Sequence, residues 1–134
     1  MKKIVITGGI GYIGTEICKI YSGESWNNQI TVIDNRFISE RVNQLRKWNM
    51  NFVHADIRKI DEVKKYLNEA DIVHHLAGVT DVPRTELELN QEKDKELRDI
   101  AEKGTEVVLS ETSESCKIIS VSYTHLTLPT RTVV

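Results

Sequence analysis

Short apolar runs alternate along this chain with longer stretches in which apolar residues recur every three or four positions. The runs are Lys3-Ile4-Val5-Ile6, Ile30-Thr31-Val32-Ile33, Phe52-Val53-His54-Ala55, Ile72-Val73-His74-His75-Leu76 and Lys117-Ile118-Ile119-Ser120. Each predicts a strand. Between them, Ile13, Ile17, Ile20 and Tyr21 mark one face of a first helix over about residues 12–21. Ile38, Val42, Leu45 and Trp48 mark a second helix. Ile60, Val63, Leu67 and Ala70 mark a third, with Asp61 and Glu62 near its start, where negative charge is favoured.

The fourth helix carries Leu97, Ile100, Ala101, Gly104, Val107 and Val108 on one stripe. Gly104 costs about 1 kcal/mol of helix propensity there, so its presence predicts a close approach to the sheet. The preceding segment, 86–99, is mostly charged and reads as a solvated helix face, with a partner-binding face as the alternative. Strands alternating with helices of this length imply βαβ units. Right-handed crossovers then predict an α/β fold: a doubly wound parallel sheet of strand order 3-2-1-4-5.

Composition narrows the class. The chain has 134 residues, enough for one domain with a real core. A net charge of −2 and a pI near 6.1 argue against a nucleic-acid surface. No apolar stretch approaches the roughly 20 residues of a membrane span, and Met1-Lys2-Lys3 runs straight into a strand, so no signal peptide is expected. Cys18 and Cys116 form no C-x-x-C pair and read as small core or boundary residues. The expectation is a reduced, cytoplasmic protein.

The candidate chemistry begins at the end of the first strand. Residues 7–14 read Thr-Gly-Gly-Ile-Gly-Tyr-Ile-Gly. Gly9, Gly11 and Gly14 fit G-x-G-x-x-G, and Gly8, Gly11 and Gly14 fit G-x-x-G-x-x-G. Such a loop allows a tight turn, close approach of backbone N–H groups to a pyrophosphate, and tight packing of the helix on the sheet. The helix then aims its positive end at the phosphates. Asp34 ends the second strand, about 20 residues past Gly14. A carboxylate there accepts ribose hydroxyls and repels a 2′-phosphate, which favours NAD over NADP. Arg36 is the counter-signal, because an arginine nearby can accept that phosphate. The plainer alternative is that Asp34 ends a strand in a turn with Asn35.

These residues together resemble a known family. Thr7 to Gly14 is similar to the T-G-G-x-G-Y-I-G fingerprint of extended short-chain dehydrogenases/reductases, a Rossmann-like group that includes NAD-dependent nucleotide-sugar epimerases and dehydratases. Asp34-Asn35 resembles the family's ribose-binding acid. Asp56-Ile57 resembles its adenine-contacting pair. His75-Leu76-Ala77-Gly78 resembles the segment lining the cofactor, and Gly104-Thr105 the G-T of N-V-x-G-T. The resemblance implies a cofactor site made of Gly8, Gly11, Tyr12, Ile13, Gly14, Asp34, Asn35, Asp56, Ile57, Leu76, Ala77 and Gly78. It implies a sugar or nucleotide-sugar substrate for the intact protein and leaves a homodimer open.

The chain departs from that pattern in two places. Ala101 stands where the family's Asn would fall. No Tyr-x-x-x-Lys occurs, since Tyr12, Tyr21, Tyr66 and Tyr123 are followed four residues later by Glu16, Ser25, Ala70 and Thr127. In the family that tyrosine is the general acid/base, and the lysine lowers its pKa. Residues 121–130 resemble a translated sequencing adapter, so the expectation is an incomplete Rossmann domain over 1–120, truncated after the fifth strand, and a non-native tail over 121–134. Ser122 and Tyr123 fall in that tail, Ser120 lies short of the family's substrate-orienting position, and no catalytic residue is assigned.

The remaining candidates are weaker. His74 and His75 are adjacent in a strand and point to opposite faces. With His54 and His125 they offer no ligand spacing, so no metal is expected. No G-x-x-x-x-G-K-[ST] is present, which argues against an NTPase. Asp81 and Arg84 follow the fourth strand and either touch substrate or cap the long helix. The functional expectation is the NAD-binding part of an epimerase/dehydratase that is inactive by itself. The alternative is a non-catalytic NAD(P)-binding sensor of the same fold.

Overall fold

The computed structural model describes residues 1–23, 28–77 and 91–120, without the side chains of 91–94 and 97. Gly78, Asp81, Arg84 and the tail at 121–134 lie outside the described residues. The elements run β1 (Lys2–Thr7), α1 (Tyr12–Ser22), β2 (Asn28–Asp34), α2 (Ser39–Lys47), β3 (Asn51–His54), α3 (Ile60–Asn68), β4 (Ile72–His75), α4 (Gln91–Glu111) and β5 (Lys117–Ser120). All four strand pairings are parallel, in the order β3-β2-β1-β4-β5. The expected fold class and strand order are therefore observed.

Alternation along the strands feeds two cores. Ile4, Ile6, Ile30 and Val32 face Cys18 of α1 and Leu45 of α2. Val5, Ile33, Val73 and Ile118 face Val63 and Leu67 of α3 and Val107 and Val108 of α4. Both faces of the sheet are covered, which is why the strands read as nearly continuous apolar runs. The strand order reverses at β1, so β1 and its neighbours open a crevice at their carboxyl ends, where such sheets bind ligands.

Two local features differ from, or refine, the sequence reading. The buried stripe of α1 is Gly14 and Cys18, whereas Ile13 and Ile20 are 43% and 65% exposed. Ile17 and Tyr21 pack at the edge of the core. The helix is turned because Gly14 must lie against the Gly9 backbone. A Cβ on Gly14 would stand 2.4 Å from the Gly9 Cα. Gly104 does mark a close approach, as a Cβ there would lie 2.8 Å from Cγ2 of Ile57. Glycine thus lets α4 settle onto the loop after β3.

Candidate functional site

The crevice is built on the turn from β1 into α1. Gly8 takes φ +68°, and a Cβ on it would stand 2.8 Å from the Ala77 nitrogen. Both constraints exclude a side chain. The Gly8 N–H bonds the Ile33 carbonyl at 2.7 Å, which ties the loop to β2. Gly11 occupies the N-cap of α1 and offers no side chain to cap it. The first N–H groups of the helix, from Tyr12, Ile13 and Gly14, are thus left to a ligand or solvent. An anion such as a pyrophosphate fits this arrangement.

Asp34 faces the loop from β2 and is 5% exposed. Its Oδ2 accepts the Ile10 N–H at 3.2 Å, and its Oδ1 accepts the Arg36 N–H at 2.9 Å. The Arg36 guanidinium adds Nε to Oδ1 at 3.2 Å and Nη2 to Oδ2 at 3.3 Å. Asn35 is exposed beside it, and its carbonyl meets His54 Nε2 at 3.0 Å. Arg41 of α2 donates to the Ile10 carbonyl and lies 5.1 Å from the centre of the exposed Tyr12 ring.

The third wall is β4, and a buried polar relay fixes it. The Thr105 hydroxyl donates to the Ala101 carbonyl at 2.6 Å. It must then accept from His75 Nε2, 3.1 Å away. His75 Nδ1, carrying no proton, accepts from the Thr7 hydroxyl at 2.7 Å. The Thr7 oxygen accepts in turn from the N–H groups of Leu76 and Ala77 at 3.1 and 3.2 Å. Donor counting thus fixes the tautomer of His75. Burial holds its pKa down to about 4, so the ring is neutral. Ala101 contributes a carbonyl where the family pattern has Asn. On the opposite face His74 meets the Tyr21 hydroxyl at 2.6 Å, and burial lowers its pKa too.

Asp56 and Ile57 follow β3. The Asp56 carboxylate is held by the Arg58 backbone N–H at 2.9 Å and by its guanidinium, with Nη2 to Oδ2 at 2.7 Å. Arg58 reaches on to Asp99 of α4 at 2.8 Å. The guanidinium beside Asp56 holds that carboxyl below its ordinary value. Ile57 is 4% exposed and packs against Gly104, so its side chain serves the core. Leu76 is buried and Ala77 half-buried at the crevice.

Loop, acid and β4 terminus therefore converge at one sheet end, with Asp56 on the adjoining loop. Apolar periodicity gives no sign of Arg41 or Arg58. A finer signal exists: Asp34-Asn35-Arg36 and Asp56-Ile57-Arg58 repeat one Asp-x-Arg pattern around the ends of successive strands. Among the described residues, no group of three His, Cys, Asp or Glu side chains could hold a metal ion. No described helix is long and apolar enough to cross a membrane.

Comparisons with known proteins agree with this geometry. UDP-glucose 4-epimerase of Mycoplasma genitalium is 32% identical over 83 residues, 60% of this chain and 24% of that protein. A 3 beta-hydroxysteroid dehydrogenase/Delta 5→4-isomerase of vaccinia virus (strain Copenhagen) is 24% identical over 123 residues, 92% of this chain and 32% of that one. The chain thus spans roughly a quarter to a third of such relatives. The structure of a UDP-glucose-4-epimerase from Stenotrophomonas maltophila, with bound NAD and formylated UDP-arabinopyranose, superposes with a TM-score of 0.66 at 21% identity. It is matched over 90% of this chain and 36% of that one. This likeness shows the fold. The model of the 3-beta hydroxysteroid dehydrogenase/isomerase family matches residues 5–126, and the chain belongs to that family.

Proposed function

We propose that this chain is the dinucleotide-binding part of an NAD-dependent epimerase or dehydratase acting on a nucleotide sugar. The observation that carries the reading is the glycine turn, with its uncapped helix start, set against the buried acid Asp34. The N–H groups at the start of α1 would hold the pyrophosphate, and Asp34 the adenosine ribose. Asp56 would meet the adenine, and Leu76 and Ala77 would line the cofactor, with Ile57 and Asn35 contributing backbone. Nicotinamide, when bound, supplies the acceptor and donor of a hydride. This chain's residues bind and orient it.

The sugar class is supported by two of the relatives at 30% identity or more, both UDP-glucose 4-epimerases. UDP-glucose 4-epimerase is matched at 32% and the viral steroid dehydrogenase at 24%. The sequence lacks Tyr-x-x-x-Lys, so the chain alone is expected to bind without turnover. Two buried cysteines, Cys18 and Cys116, both outside any disulfide, support a reducing, cytoplasmic setting. Calorimetric titration of the chain with NAD tests the reading. Saturable binding is expected, and Asp34→Ala should weaken it roughly 10- to 100-fold, the loss of charge-assisted bonds to ribose. The reading fails if no binding occurs, if Asp34→Ala binds equally well, or if the chain turns over UDP-glucose.

A further inference from the structure

A cavity of about 210 Å³ lies between α1 and α2. Gly9 and Ile10 of the glycine turn wall it on one side, and Thr15 of α1 adjoins them. Leu45 and Trp48 of α2 give it an apolar side, where they join the core on that face of the sheet. Glu40, Arg41 and Gln44 complete the lining. No residue assigned above to the cofactor lines this space. Ile10 divides it from the crevice. The Ile10 N–H bonds Asp34 Oδ2 at 3.2 Å on the crevice side, and its carbonyl accepts from the Arg41 guanidinium on the cavity side.

The polar groups around the cavity are available to an occupant. Among the described residues, Glu40, Gln44 and the Trp48 indole make no side-chain hydrogen bond or ion pair, and Glu40 and Arg41 do not pair with each other. Gln44 and Trp48 are half-buried, where polar groups normally find partners. Arg41 commits one N–H to the Ile10 carbonyl and lies 5.1 Å from the centre of the Tyr12 ring. These contacts fix its plane and leave about four N–H groups to donate.

The lining selects a chemistry. A simple anion would meet the Glu40 carboxylate, and a simple cation the Arg41 guanidinium. A molecule carrying both charges satisfies both, and an apolar body suits Ile10, Leu45 and Trp48. A cavity of about 150 Å³ holds benzene, so this one takes roughly eight or nine non-hydrogen atoms. We propose that the cavity between α1 and α2 is a binding site for a small free amino acid with an aliphatic side chain, of the size of leucine. Arg41 takes the carboxylate, Glu40 the ammonium, and Ile10, Leu45 and Trp48 the side chain. The site lies apart from the crevice and does not depend on the dinucleotide reading.

The test is NMR titration of the whole isotope-labelled chain with L-leucine, followed at the Trp48 indole N–H, which Trp48→Phe identifies. Saturable binding with a Kd of about 1 mM or tighter is expected for a ligand of this size. Leucinamide lacks the carboxylate and isocaproate lacks the ammonium, so each should bind at least roughly tenfold more weakly. Arg41→Gln and Glu40→Gln should each weaken leucine binding by about the same factor. Glu40 is exposed, so its variant reads the site even where Arg41→Gln fails to fold. Gln44→Trp, which fills the space, should abolish binding. The site is overturned if leucine shows no saturation below roughly 20 mM, if the two analogues bind as well as leucine, or if Glu40→Gln leaves its affinity unchanged. Displacement of leucine by NAD would place it in the crevice and overturn the site as well.

Discussion

His75 makes the stability of this fold depend on pH in a window that can be calculated. Its ring is 4% exposed, with one nitrogen facing the Thr105 hydroxyl and the other the Thr7 hydroxyl. A second ring proton would have no acceptor. The Thr7 oxygen would face three donors with two lone pairs, and its own proton would lose the ring nitrogen. The folded pKa is accordingly held at about 4, against about 6.5 in an unfolded chain. Between those values the unfolded state binds more protons, so stability falls as pH falls. The contribution is fully present above about pH 6.5 and gone below about 4. At about 1.4 kcal/mol per pH unit, the whole window amounts to about 3 kcal/mol. Burial lowers the His74 pKa as well, so His74 acts in the same direction and must be removed from the comparison. Urea unfolding of His74→Gln and of His74→Gln/His75→Asn, from pH 7 to 4.5, isolates the effect. The first should lose stability steeply on acidification. The second should start less stable but follow a shallower slope. Equal slopes, or a folded His75 that titrates near 6.5 by NMR, would refute the reasoning.

Four further outcomes are expected. Gly8→Ala meets both a positive φ and a backbone contact at 2.8 Å, and should lower the urea midpoint by the equivalent of about 2 kcal/mol or more. Gly104→Ala gains about 1 kcal/mol of helix propensity but forces its methyl into Ile57, so it should be destabilising overall; in an Ile57→Ala background it should become neutral or stabilising, as a double-mutant cycle would show. Burial pushes the Cys18 thiol up to about 12, and Cys116 is also buried, so a thiol-reactive chromogen should count no thiols in the folded chain and two after unfolding. Arg58→Ala removes the tie from Asp56 to Asp99 and should lower the melting temperature at low ionic strength, with the difference shrinking in roughly 1 M salt.

Much of the architecture is legible in the sequence because both faces of the sheet are covered. Each strand then becomes an apolar run and each helix an apolar stripe, and right-handed crossovers reduce five parallel strands to a few doubly wound orders, of which the glycine turn and the acid after the second strand point to 3-2-1-4-5. The glycine turn and Asp34 are legible for a related reason: their requirements are local. Gly8 needs its φ and Gly14 its missing Cβ, whatever the rest of the chain does. What apolar spacing misreads is the rotation of α1. The contact between Gly14 and Gly9 sets that rotation, and it leaves Ile13 and Ile20 outside. Ile57 illustrates the other limit. Its place beside Asp56 suggests a ligand contact, but whether its side chain faces the crevice or the core depends on how closely α4 can approach, and Gly104 decides that from far along the chain.

The relay through Thr7, His75 and Thr105 also has a consequence in time. Every hydroxyl and ring proton in it points one way, from the ends of β1 and β4 toward α4. Turning the imidazole over would demand that several bonds break and re-form together, because no member can reverse alone. The carboxyl ends of β1 and β4 therefore do not loosen piecemeal. They stay closed until the relay opens as a unit, and the edge of the crevice keeps one fixed shape between such openings.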